Sequence, residues 1–177
     1  LVASADNEPG DFDFYVLALS WSPSYCAITG STDAEQCGSE RHGFIVHGLW
    51  PQYETGYPEY CPSPMRKHLS QSALKATFDI MPSTGLIRHQ WKKHGLCSGL
   101  EGRAYFGLLR RAFEKISIPQ EFIAPPRDKV GDPAAIEAAF VANNPGLSAS
   151  GVAVTCKQRQ LADVRICLTR DLEYRQC

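Results

Sequence analysis

A chain of 177 residues, 44% of them hydrophobic, has the size of one domain and can bury a sizeable core. A formal net charge of −1 excludes broad electrostatic gripping of duplex DNA, and no run of about 18 apolar residues exists to span a membrane as a helix. Charge is unevenly spread. Residues 1–40 hold seven Asp/Glu and no Lys/Arg, while the remainder holds twelve acids against eighteen Lys/Arg, so a local basic cleft is allowed.

At the N-terminus, Ala3-Ser4-Ala5 before Asp6 has the small-x-small form of a signal-peptidase site, and residues 1–11 are expected to form a flexible tail. Phe12 to Trp21 reads as a strand that is apolar on both faces and therefore central. Ser22-Pro23 ends it, and Cys26 and Cys37 bracket a polar loop. Gly43 to Leu49 is a second strand, in which alternation places His47 with Ile45 and Leu49; Trp50-Pro51 breaks it. Four prolines make residues 51–66 a long irregular loop of the kind that borders sites. Ser70 caps a helix to about Ile80, and His89–His94 is a short helix. Arg103 to Ile116 carries an apolar stripe of Tyr105, Phe106, Leu108, Leu109, Ala112, Phe113 and Ile116. Asp132-Pro133 starts a further helix that ends near Asn143. Val152–Cys156 and Val164–Leu168 read as two late strands. Strands and helices do not alternate, which predicts a single α+β domain, a central antiparallel sheet flanked by helices.

Seven cysteines point to an oxidising compartment, secreted or periplasmic, and to disulfide stabilisation. No Cys-x-x-Cys pair marks a zinc module. The odd number leaves one thiol free or paired beyond Cys177.

Two segments concentrate the chemistry: Phe44-Ile45-Val46-His47-Gly48-Leu49-Trp50-Pro51 and His89-Gln90-Trp91-Lys92-Lys93-His94-Gly95-Leu96-Cys97. They hold three of the five histidines and two of the three tryptophans. On a helix, with His89 at zero, Lys93 lies near about 40°, Gln90 near about 100° and His94 near about 140°, so the four share a face. Imidazoles take and give protons near neutral pH, and an ammonium beside them suits charge building on a phosphate. A metal fits less well. His89 and His94 are five apart where helical ligand pairs prefer four, no acid stands between them, and neighbouring lysines repel a cation; no metal or cofactor is expected. Gly-x-Ser-x-Gly is absent, and Cys97 in so cysteine-rich a chain reads as half of a disulfide. His42 and His68 have no such setting and read as surface or structural.

His47-Gly48-Leu49-Trp50-Pro51 and His89-x-Trp91-x-Lys93-His94-Gly95-x-Cys97 resemble the two active-site segments of the ribonuclease T2 family. Tyr15 to Pro23 resembles its first core strand, and Leu161 to Cys167 its late strand, so the likeness runs over about residues 12–177. It implies an α+β fold and endonucleolytic cleavage of single-stranded RNA through a 2′,3′-cyclic phosphate, with little base preference, without metal and fastest in mild acid. It implies a general base at His94, a general acid at His47, phosphate binding by His89 and charge stabilisation by Lys93. Trp50 would stack on a base, with Tyr53 and Tyr57 as weaker base-site candidates. The family carries glutamate where this chain has Gln90, which implies reduced or differently pH-tuned activity. The alternative is a catalytically weakened RNA- or protein-binding relative. DNA lacks the 2′-hydroxyl and cannot react; the partner expected is single-stranded RNA, with no membrane, for a monomer. The resemblance also implies bridges Cys26–Cys37, Cys61–Cys97 and Cys167–Cys177, with Cys156–Cys177 as an alternative.

Overall fold

The computed structural model describes residues 7–29, 33–64, 68–123 and 131–177. In chain order its elements are β1 (Phe14–Trp21), α1 (Ser22–Thr29), α2 (Ala34–Cys37), β2 (Phe44–Gln52), α3 (Gln71–Lys75), α4 (Thr84–Lys93), α5 (Gly102–Glu114), α6 (Pro133–Asn143), β3 (Val152–Lys157) and β4 (Gln160–Leu168). The strands form one antiparallel sheet in the order β2-β1-β4-β3. With its flanking helices this is the α+β architecture expected.

The apolar character of β1 on both sides has a structural cause. Tyr15, Leu17, Leu19 and Trp21 enter the main core beside Val46, Leu49, Trp91 and Leu109. Phe14 and Val16 pack on the opposite face with Cys167 and Trp50. Each large side chain so buried contributes about 1.5–3 kcal/mol. The stripe on α5 faces the core as its period requires, and the buried Tyr105 hydroxyl donates to the Leu49 carbonyl at 2.7 Å. That bond ties α5 to the strand that carries His47.

Several boundaries differ from the sequence expectation. The strand β2 runs through Trp50-Pro51 to Gln52; it is an edge strand, where a proline's missing donor is tolerated. Ser22-Pro23 ends β1 but opens α1, since a proline in the first turn presets a helical φ. Asp33 caps α2 by accepting from the Gln36 amide, so the bracket between Cys26 and Cys37 contains two helices. Ser70 caps α3 as expected, but the helix ends at Lys75, and tighter turns such as Thr77 N–H to Leu74 carbonyl carry the chain to Ile80. The His89–His94 segment is the second half of α4, which starts after the Ser83 cap. The late strand begins at Gln160 because Gln158 and Arg159, both at positive φ, make a two-residue turn from β3.

Part of the expected tail is fixed. The Gly10 amide donates to the Cys97 carbonyl at 2.9 Å, and Arg170 donates to the Gly10 and Phe12 carbonyls at 3.1 Å. Residues 1–6 of that tail lie outside the described residues.

Candidate active site

The first motif is shaped by a slip in the sheet. Ala18 pairs with Gly48 and Leu19 with Val46, so His47 is an extra, unpaired residue on β2. Such a bulge reverses the alternation and re-aims a side chain. Leu49 and Val46 therefore point into the core, while His47, Trp50 and Gln52 line a cleft of about 290 Å³ on the other face. The expected grouping of His47 with Ile45 holds, since both line the adjoining groove. The grouping with Leu49 does not, because the bulge lies between them.

The second motif enters from α4 and its end. His89, Gln90, Lys93 and His94 line the same cleft. His94 stands at the C-cap of α4, and Trp91, on the helix's inner side, anchors it in the core. Gly95 follows because a Cβ there would collide with the Trp91 ring. His47 and His94 both flank Trp50, with ring centroids 5.2 and 5.3 Å from it. Two imidazoles far apart in sequence thus face one space.

Their environments differ. His94 is only 6% exposed. Burial first, and then the charges of Lys93, His47 and His89, push its pKa down to about 3. Its Nδ1 is buried without a hydrogen-bond partner among the described residues. His47 instead has its Nδ1 3.2 Å from Asp163 Oδ1. Burial raises the Asp163 pKa, but the hydrogen bond and charge of His47, with Arg165 and Ser20, outweigh it and hold the carboxyl below its ordinary value. An ionised carboxylate only accepts, so Nδ1 is the donor and Nε2 is the nitrogen left for chemistry.

Gln90, 2% exposed, accepts from the Trp50 indole N–H at 2.7 Å. A Cβ on residue 48 would collide with both groups of that bond, which is why glycine follows His47. Lys93 Nζ lies 3.3 Å from Glu59 and is partly exposed at the cleft. Tyr57 lines the cleft, its ring 6.2 Å from His94. Tyr53 does not line it and packs against the main core.

Sequence reasoning missed Asp163 and Arg165. Arg165 lines the cleft, stands 5.3 Å over the Trp50 ring and pairs with Asp163 at 3.6 Å. A signal existed: in the sequence of β4 the charged Asp163 and Arg165 alternate with the apolar Val164, Ile166 and Leu168, which pack in the main core.

The bridges are Cys26–Cys37, Cys61–Cys97 and Cys167–Cys177, and Cys156 is an exposed free thiol, which excludes the Cys156–Cys177 alternative. Cys61–Cys97 ties the proline-rich loop to the end of the histidine segment, and the Tyr60 amide donates to the Lys93 carbonyl beside it at 2.8 Å. Among the described residues, no group of three or more His, Cys, Asp or Glu is placed to hold a metal ion.

Comparison with known proteins places this geometry. A ribonuclease of Aeromonas hydrophila is 49% identical over 96 residues, 54% of this chain and 42% of that protein. Ribonuclease I of Escherichia coli is 26% identical over 207 residues, covering 92% of this chain and 77% of its own. The chain spans less than half the length of the Aeromonas relative and of a probable ribonuclease of Haemophilus influenzae. Among solved structures, the RNase-related protein from Calystegia sepium superposes with a TM-score of 0.75 at 23% identity, covering 94% of this chain and 90% of that one, a likeness of fold. The model of the Ribonuclease T2 family matches residues 12–177, a span that includes the whole sheet and both histidine segments, and the chain belongs to that family.

Proposed function

We propose that the protein is an endoribonuclease that cleaves single-stranded RNA without a metal, by transphosphorylation through a 2′,3′-cyclic phosphate and with little base preference. The observation that carries this is the pairing, across one cleft, of a buried imidazole held neutral with a second imidazole held by a carboxylate.

RNA brings its own nucleophile. His94, unprotonated in mild acid, takes the proton of the ribose 2′-hydroxyl as that oxygen attacks phosphorus. His47 delivers a proton from Nε2 to the departing 5′-oxygen, while Asp163 fixes the ring through Nδ1. Lys93 and His89 meet the negative charge that grows on the phosphoryl oxygens. A phosphate bound there also offsets the positive neighbours that depress His94, which brings the base closer to the working pH. Trp50 and Tyr57 offer faces on which any base can stack, in keeping with little base preference. The three disulfides support a secreted or periplasmic setting, and among the described residues no helix is long and apolar enough to cross a membrane. We infer a monomer whose partner is RNA, with neither DNA nor membrane as a partner.

The test is digestion of an oligoribonucleotide in EDTA, with analysis of the new 3′ ends. Cyclic-phosphate ends, and resistance of a strand with a 2′-deoxy sugar at the cut, are expected. Ends bearing a 3′-hydroxyl, or loss of cleavage in chelator, overturn the proposal. A weakened relative that binds RNA or protein is favoured by one observation, the neutral amide at Gln90; it predicts retention of RNA without cutting in the same assay.

A further inference from the structure

The helix α4 presents more positive charge than the cleft uses. Its inner side, Ile87, Gln90 and Trp91, is buried. Its outer ridge exposes Arg88, His89 and Lys92, with Lys93 at its border. His89 and Lys93 face the cleft. Arg88 and Lys92 turn about 100° away from them, and there they line a second groove of about 310 Å³ with His68 and Leu69.

Three features of this groove point to an anion. Among the described residues, no carboxylate stands in its wall, although the chain has more acids than bases overall. Among the described residues, Arg88, Lys92 and His68 make no ion pair, which leaves their charge open to an anion. Arg88 and Lys92 are also spaced i, i+4, where like charges repel unless a counter-charge lies between them. The groove and the cleft are the two flanks of one exposed helical ridge, roughly 10 Å across. A strand whose scissile phosphate sits at His89 and Lys93 has its next phosphates within reach of the far flank.

We propose that His68, Arg88 and Lys92 form an accessory phosphate-binding groove that holds RNA phosphodiesters outside the scissile linkage. This rests on the ribonuclease function proposed above. The groove acts on long substrates alone, because a dinucleoside phosphate bound in the cleft has no phosphate to place there.

The test compares a dinucleoside phosphate with a 20-nucleotide oligoribonucleotide (lengths of about 2 and about 20 residues) as substrates of the wild type and the R88A/K92A double variant across a range of salt. In the variant, kcat/KM for the oligomer is expected to fall about tenfold through KM, and its salt slope to become shallower by about 1.4, the share of two phosphate contacts on a single strand. Dinucleoside cleavage is expected to stay unchanged, and the R88K/K92R variant to keep most of the oligomer efficiency. Equal oligomer kinetics and equal salt slopes in wild type and double variant overturn the groove while leaving the ribonuclease function standing. Failure of the wild type to cut either substrate overturns the ribonuclease function itself.

Discussion

Asp163 holds His47 and Gln90 holds Trp50, which stands between the two imidazoles, and each can be tested alone. Asp163 fixes which nitrogen of His47 is free. Asp163→Asn keeps the shape but removes the charge, and an amide can present its N–H where an acceptor is needed. We expect kcat/KM to fall by about 10²-fold and the basic limb of the pH–rate profile to move to lower pH. A lower rate with an unmoved limb would assign Asp163 to packing alone. Gln90 is the reverse case, a buried neutral group next to an imidazole already pushed down to about 3. Gln90→Glu places an acceptor in the same position, so the Trp50 indole keeps its partner, and adds a negative charge that favours protonated His94. The acid limb of kcat/KM should therefore move to higher pH, and an unchanged limb would show that Gln90 only holds Trp50.

At the level of elements, the bulge in β2 turns His47 to the cleft and the Cys61–Cys97 bridge ties the proline-rich loop to the end of the second motif. Gly48→Ala drives a methyl into the Trp50–Gln90 bond, an overpacking expected to cost about 1–3 kcal/mol. Urea denaturation would register this, together with a loss of activity larger than the stability loss explains. Opening Cys61–Cys97 with paired alanines releases a loop of 36 residues, worth about 3–4 kcal/mol by loop entropy, and unfastens Tyr60 from Lys93. A fall in Tm with kcat preserved would separate the bridge from the chemistry. These elements also show what the sequence could convey. The apolar stripe on α5, the Ser70 and Asp132 caps and the polar cluster of the second motif are local patterns, and they were legible. The bulge was not, because alternation conveys parity and nothing in Val46-His47-Gly48 marks where pairing slips. The turn at Gln158-Arg159 was hidden because those residues seldom adopt positive φ. Asp163 lies outside the late strand expected at Val164–Leu168, since β4 begins at Gln160, and a partner 116 residues distant from His47 becomes visible only when β4 lies against β1.

For the whole molecule, the depressed pKa of His94 couples the proposed catalysis to stability. His94 titrates near its ordinary value of 6.5 in the unfolded chain and near about 3 in the fold. Between those values the unfolded state binds a proton that the folded state refuses, so stability falls as pH drops through that window, by about 1.4 kcal/mol per pH unit at its steepest. Asp163 acts in the same direction at lower pH. Its folded carboxyl is held below its ordinary 3.8, so the stability it contributes is present above that value and lost as pH falls through the folded value. The proposed cleavage in mild acid would therefore take place on the falling flank of the protein's own stability, and the three bridges offset part of that loss. Urea titrations from pH 7 to pH 4 should show unfolding free energy declining with acid, and His94→Gln, which cannot take up a proton in either state, should flatten that decline by up to one proton's worth. If the variant and the wild type decline in parallel, His94 is not held neutral by burial, and the division of labour between the two imidazoles loses its physical basis.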